Sequence, residues 1–334
     1  MKGPSTRLDV SVERWPLKVP FHITGHTFVA LEAAIVQLER DGAVGRGEAA
    51  GVYYRKDDAP HMLALVESHR SSIEAGIDRE TLRRLMPPGG ARNAVDCAMW
   101  DLEARLAGKP AWELAGLKRP EPLVTTFTVG ANPPERMAEA ALAYHGARAI
   151  KLKLTGEAMD AQRVRAVREV LPDVWLGVDA NQGFSRAALE ALLPVLISSN
   201  VQLIEQPFPV GREADLDGLE CPIALAADES AQDSTDIPAL ADRFDVINIK
   251  LDKCGGLTEA LTMADVARHH GLDVMVGNMT GTALSTAPAL LVGQLCKIVD
   301  LDGPSFLRND RTPGTVYANG TVWCDDAVWG GAGT

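Results

Sequence analysis

The 334-residue chain carries two lysines, Lys151 and Lys153, on alternate positions of the run AIKLKL (149–154), with Ile150, Leu152 and Leu154 on the other face. Such alternation marks a strand, so both ammonium groups point one way. Downstream, apolar runs close in turn on carboxylates: VWLGVD on Asp179, VQLIE on Glu205 and IALAAD on Asp228. VINIK then closes on Lys250, DVMVGN on Asn278, and IVDLD on Asp300 and Asp302. Each residue has an ordinary reading by itself. An Asp after a strand is commonly a helix N-cap, Asp228 and Asp302 suit turns, and Lys250 suits a salt bridge. Three carboxylates ending three consecutive strands ask for more, because adjacent strands lie about 4.8 Å apart and their end groups can meet on one ion.

An oxygen-only set without Cys or His suits a hard cation, one Mg2+ per subunit with Mn2+ as a substitute. A substrate carboxylate on such an ion has its developing enolate charge neutralised when the adjacent α-proton leaves. Two amines on opposite faces, one taking the proton and one returning it, invert a stereocentre, whereas elimination needs only one base. A lysine serves as base near neutral pH when burial or a nearby cation lowers its pKa. Lys151, two residues from Lys153, is expected to be that cation.

Regularly repeated elements are needed to bring these groups together. Strand-like runs begin with TTFTV (125–129) and recur about 25 residues apart to IVDLD (298–302), alternating with helical stretches such as AQRVRAVREVL. Eight such units predict a (β/α)8 barrel of α/β class, with active groups at the C-terminal strand ends; a doubly wound sheet is the rival. Lys153 and Lys250, on the second and sixth strands, then face each other across the barrel mouth. The N-terminal part reads as α+β: LDVSVERWPLKV and a hairpin turning at Asp41-Gly42 are strands, and ARNAVDCAMWDLEARLAG is a helix stopped by Gly108. Residues 1–118 are expected to form a capping domain and 119–312 the barrel. Residues 313–334, with the hairpin signal Asn319-Gly320, are expected to return to the cap.

Composition narrows the partners. A net charge of -12 argues against nucleic acid or an anionic membrane surface. No run reaches the roughly 18 apolar residues of a membrane span. Five cysteines without CxxC spacing fit a reducing cytoplasm, and the seven histidines form no ligand pattern.

The motifs KLK (151–153), DAN (179–181), EQP (205–207), ADES (227–230) and NIKLDKCGGLTEA (248–260) together resemble the muconate-lactonizing subgroup of the enolase superfamily. ARNAVDCAMWDLEAR (91–105) is similar to that family's last capping-domain helix, so the resemblance spans essentially the whole chain. It implies Asp179, Glu205 and Asp228 as Mg2+ ligands, Lys153 and Lys250 as the acid/base pair, capping loops that choose the substrate, and a possible homo-oligomer.

Within the subgroup, cycloisomerases, o-succinylbenzoate synthases, N-acylamino acid racemases and dipeptide epimerases share these parts. Asp300-Leu301-Asp302 is similar to the DxD by which dipeptide epimerases hold the substrate's α-ammonium, and two carboxylates suit a cation better than a succinyl group. The expected substrate is therefore an L-Ala-L-Xaa dipeptide, inverted at its C-terminal residue, with Thr128, Asn278 and Met279 among the contacts. Family members acting on L-Ala-D/L-Glu carry an Arg in the first capping loop. FHITGHTFVAL (21–31) has no Arg or Lys, and Phe28 falls at that place. A carboxylate buried against Phe without a partner is costly, so Xaa is expected to be apolar or aromatic. His26, Arg55 and Lys56 are the groups that would instead admit Glu.

Overall fold

The computed structural model describes residues 6–23 and 26–333, with the side chains of 21–23 and 26 left aside. Three antiparallel strands open the chain: β1 (Arg7–Ile23), β2 (His26–Arg40) and β3 (Ala43–Ala49), in that order across the sheet. The β2–β3 turn is Asp41-Gly42, both at positive φ (51° and 79°), as the tight hairpin requires. Four residues of β1, 17–20, stand opposite a single β2 residue, so the register breaks between Pro16 and Phe21.

The Gly90–Ala107 helix joins the two domains. Ala91, Ala94, Val95, Ala98, Met99 and Leu102 pack into the cap core, whereas Cys97, Trp100 and Ala104 pack into the barrel core. It is therefore buried nearly all round, which fits its weak amphipathic pattern. Gly108 ends it in the left-handed conformation (φ 61°).

After the two-residue strand β4 (Leu123–Val124), eight parallel strands follow: β5 (Thr126–Val129), β6 (Ala149–Lys153), β7 (Trp175–Asp179), β8 (Val201–Glu205), β9 (Ala224–Ala227), β10 (Val246–Ile249), β11 (Asp273–Gly277) and β12 (Ile298–Asp300). They are hydrogen-bonded in chain order from β5 to β12. Side chains bridge the remaining seam. Thr125 Oγ1 accepts from Leu301 N–H (2.9 Å), Thr126 Oγ1 donates to Asp300, and Asp302 accepts from Thr128 N–H (2.6 Å). The floor of the barrel interior is apolar, built from Leu203, Ala226, Val246 and Met275 with Trp175 against them.

The last hairpin, β13 (Val316–Ala318) and β14 (Thr321–Trp323), turns at Asn319-Gly320. It differs from expectation in its partner. β14 pairs with β4, the lead-in to the barrel, because Val322 is apolar and buries itself in the barrel core. The chain reaches the cap further on, where Arg46 Nη2 donates to Val328 O (2.6 Å) and Trp329 Nε1 to Cys97 O (3.0 Å). Among the described residues no helix is long and apolar enough to cross a membrane.

Candidate active site

Strand register aligns the chemistry. Lys153 pairs with Asp179, Asp179 with Glu205, and Glu205 with Ala226, two residues before Asp228. On β6, Ile150 and Leu152 pack outward into the barrel's hydrophobic shell, and pleat alternation turns Lys151 and Lys153 inward. Gly277 makes room on the facing side: a Cβ there would lie 2.8 Å from Lys250 Cε and 2.9 Å from Asn248 Oδ1.

Every carboxylate of the triad is fixed. Asp179 Oδ1 accepts from Asn181 N–H (2.8 Å) and Oδ2 from Lys153 Nζ (2.5 Å). Glu205 accepts from Asn248 Nδ2 (2.7 Å) and Lys151 Nζ (3.2 Å). Asp228 accepts from Lys253 Nζ at Oδ1 and Lys250 Nζ at Oδ2, both at 2.6 Å. Burial alone would raise Asp228, but Lys250 and Lys253 overcome it and hold the carboxyl well below its usual range. Glu205, pushed up by burial and then by Asp179, reaches about 7. Burial works against Lys250, yet Asp228 and Glu205 hold its ammonium above the ordinary value.

Lys151 has a different setting from the one expected. Its ammonium meets Asp300, Glu205 and Asp179 (3.6 Å), so three carboxylates neutralise it. They hold its pKa well up against the pull of burial. A cation so surrounded is a counter-ion at the centre of the site.

Asp300 and Asp302 also differ from each other. Asp300 is engaged by Lys151 and Thr126, and these hold its carboxyl low although burial opposes them. Asp302 accepts from Thr128 N–H, and burial, followed by Asp300, pushes it up to about 7. Asn278 brackets the same turn. With its amide oriented to satisfy both partners, it donates to Asp300 O and accepts from Gly303 N–H, each at 3.1 Å.

These groups open on a cavity of about 600 Å³ roofed by the cap, within the range of small-molecule sites. Thr128, Lys151, Lys153, Asp228, Lys250 and Asp302 lie below; Phe28, Tyr53, Tyr54 and Lys56 lie above, with Met279 at the side. Phe28 meets Tyr53 edge-on at 5.4 Å, and Tyr53 meets Tyr54 at 5.2 Å. Arg55 turns aside to Gln232 Oε1 (2.9 Å). His26 belongs to β2, but its side chain lies outside the described residues.

Could this set hold Mg2+? Among the described residues no three Cys, His, Asp or Glu side chains already surround one point; lysine ammonium groups lie between the carboxylates instead. The donors are nevertheless oxygen-only, and Asp179 and Asp228 are both close enough to Glu205 to raise it. Glu229 Oε2 and Asn248 Oδ1 are buried without a hydrogen-bond partner among the described residues. Crowded, like-charged oxygens with unsatisfied lone pairs fit a hard dication.

Lys253, Asn248, Asn181 and Glu229 lie inside the quoted motifs, and their contacts with the triad or its neighbours are added by the structure. The available signal for Lys253 was its place three residues after Lys250, which puts it on the same short turn of helix, Leu251–Cys254.

Residues 5–116 match the mandelate racemase/muconate lactonizing enzyme N-terminal domain, and 135–327 the enolase C-terminal domain-like family. The chain is 37% identical over 318 residues to the L-Ala-D/L-Glu epimerase of Escherichia coli, covering 94% of this chain and 98% of that protein. It belongs to the enolase superfamily.

Two solved structures extend the comparison. An Agrobacterium tumefaciens enolase family member with homology to dipeptide epimerases, bound to sodium and L-Ala-L-Glu, is 38% identical with a TM-score of 0.94, over 97% of this chain and 100% of that one. The Cytophaga hutchinsonii dipeptide epimerase, complexed with Mg and D-Ala-L-Val, is 25% identical with a TM-score of 0.91, over 99% and 95%. The protein is thus an isomerase, a racemase or epimerase of amino acid derivatives, and these two solved relatives are bound to an acidic and an apolar dipeptide.

Proposed function

We propose that this epimerase inverts the α-carbon of the C-terminal residue of L-Ala-L-Xaa dipeptides, with Xaa apolar or aromatic. In this reading Asp179, Glu205 and Asp228 hold Mg2+, which supplies charge neutralisation at the substrate carboxylate. Lys153 and Lys250 flank the α-carbon, one as neutral amine removing the α-proton and the other as ammonium delivering a proton of its own to the opposite face of the enolate. The observation that carries the reading is their placement: they stand on β6 and at the end of β10, four strands apart, each docked on a different carboxylate of the triad. Asp302, with Asp300 behind it, receives the α-ammonium. That anionic pocket disfavours cycloisomerase, o-succinylbenzoate synthase and N-acylamino acid racemase chemistry, whose substrates bring no cation there.

The interlocked Phe28, Tyr53 and Tyr54 support an apolar or aromatic Xaa. One observation favours the second reading, L-Ala-Glu: Lys56 lines the cavity and could meet a side-chain carboxylate. Incubation with Mg2+ in D2O across a panel of L-Ala-L-Xaa dipeptides separates the two. The mass gain of a single deuteron with Leu, Phe or Tyr but not Glu is expected. Exchange restricted to Glu would overturn the apolar reading, and exchange only with N-acyl amino acids would overturn the dipeptide reading.

A further inference from the structure

Between the end of β11 and the Ala283–Gly293 helix runs a segment without regular structure, residues 278–282, which passes along the side of the cavity. It is pinned at both ends, by different domains. Asn278 is bracketed to the turn after β12. At the other end, Glu48 reaches down from β3 of the cap. Its Oε1 accepts from Thr282 N–H (2.7 Å), and its Oε2 from the Thr282 hydroxyl. Only Met279, Thr280 and Gly281 lie between the pins, and Met279 and Thr280 line the cavity.

Glu48 is itself held from a second direction. It is 1% exposed, and Arg311 Nη2 donates to its Oε2 at 2.9 Å. The same guanidinium donates to Thr282 Oγ1 (2.7 Å) and to Glu13 Oε2 (2.6 Å) on β1, and lies over the Trp15 ring at 5.2 Å. Burial pushes the Glu48 carboxyl up, and Arg311 and Thr282 pull against that. Glu48 and Arg311 thus tie together the edge strand of the hairpin that carries Phe28, the strand that leads into the Tyr53–Tyr54 turn, and the barrel segment that carries Met279. A buried network of this kind with every member bonded has one favoured geometry.

We propose that Glu48, Thr282 and Arg311 are positioning residues that set the width of the Xaa pocket, by fixing Met279 and Thr280 of the barrel relative to Phe28 and Tyr53 of the cap. They touch neither the reacting carbon nor the metal ligands, so they act on side-chain recognition and not on proton transfer. The inference rests on the proposed placement of Xaa between cap and barrel.

Thr282→Val tests it with little change of shape, since it removes the hydroxyl link to Glu48 and Arg311 and keeps the volume. Thr282→Ser retains that link. In the full-length Mg2+-loaded enzyme, Thr282→Val removes two charge-assisted hydrogen bonds, to Glu48 and from Arg311, and is expected to raise KM for the preferred dipeptide about tenfold. It should leave kcat within about twofold and narrow the kcat/KM spread between large and small Xaa, and Thr282→Ser should behave as wild type. Arg311→Met should repeat the pattern. Arg311→Lys should not rescue it, because an ammonium on a flexible stem cannot bridge three acceptors as a planar fork does. A lowered Tm with unchanged KM and unchanged Xaa preference would reduce the network to a structural fastening and overturn the proposal. So would a fall in kcat at constant KM. The wild-type panel run alongside tests the dipeptide reading separately. If the wild type turns over another substrate class, that reading fails and the pocket effect is read on the substrate it does use.

Discussion

Lys253 Nζ donates to Asp228 Oδ1 at 2.6 Å from a side chain with no solvent exposure, and also to the carbonyls of Asp228 and Asn248 (3.0 Å). Removing Lys253 leaves Asp228 with Lys250 as its remaining ammonium partner, and a lost hydrogen bond to a charged group costs about 1.5–3 kcal/mol. Lys253→Met should therefore lower the unfolding free energy, measured by urea titration without Mg2+, by that amount. Saturating Mg2+ should recover part of the loss, because a dication at the triad replaces the missing positive charge. Identical unfolding curves for variant and wild type would show that Lys253 does not stabilise Asp228.

The two proposed bases are separable by stereochemistry. Lys153 and Lys250 approach the triad from β6 and β10, and in the proposed mechanism each would serve one face of the α-carbon. Lys153→Ala and Lys250→Ala should each lose epimerisation by at least about a thousandfold. Each should still exchange the α-proton of one epimer in D2O, and the two variants should retain opposite epimers. Loss of exchange with both epimers in either variant would mean that the two lysines do not divide the faces between them.

The barrel was legible because its strands are apolar on one face and end on charge, a pattern repeated from β6 to β10. The carboxylate triad and the facing lysines were legible for the same reason: strand order converts sequence spacing into neighbourhood. What could not be read was pairing among like candidates. Lys151 and Lys153 look equivalent in AIKLKL, and only three-dimensional neighbours show that Asp300 and Glu205 neutralise the first. The partner of the final hairpin was hidden too, because β4 is two residues long and carries no period of its own. Glu48 escaped notice since its role depends on contacts across the cap–barrel seam, and Lys253 since its partners, Asp228 and Asn248, are distant in sequence or on the backbone.

That seam contains a pH-sensitive carboxyl. Asp96, fully buried on the Gly90–Ala107 helix, accepts from Thr258 N–H (3.0 Å) and Thr258 Oγ1 (2.6 Å), yet burial still pushes it up to about 6. Between about pH 4, where the unfolded carboxyl titrates, and pH 6, the folded state holds a proton that the unfolded state has lost. Stability therefore falls as pH rises through this window and levels off above it, by about 3 kcal/mol in all. Asp96→Asn cancels that contribution. The Tm difference between variant and wild type should shift in favour of the variant from pH 4 to 6 and hold steady above; a constant difference would show that Asp96 does not titrate there.

Recognition of Xaa is open to a gain of function. Phe28 forms part of the aromatic roof, 5.4 Å from Tyr53. Phe28→Arg would bring a guanidinium to the place where a Glu side chain would end. The kcat/KM ratio of L-Ala-L-Glu to L-Ala-L-Phe should rise at least about tenfold. Lys56→Met is the complement and should leave apolar dipeptides unaffected. If the wild type exchanges L-Ala-L-Glu well and Lys56→Met abolishes this, Lys56 is the anion site and the acidic reading holds.

Asp300 and Asp302 should not behave alike, because their partners differ although both line the cavity. Asp302 is bonded to the Thr128 amide, whereas Asp300 is engaged by Lys151 and Thr126. Asp302→Asn removes the charge facing the α-ammonium, which is present equally before and during proton transfer. KM for dipeptides should then rise about 10- to 100-fold with kcat little changed, the signature of lost uniform binding. Asp300→Asn releases Lys151 at the centre of the triad, and kcat should fall as well. Steady-state kinetics of both variants on the best dipeptide decide the matter: equal effects on KM alone would mean that the two carboxylates share the ammonium, and an unchanged KM in Asp302→Asn would place it elsewhere.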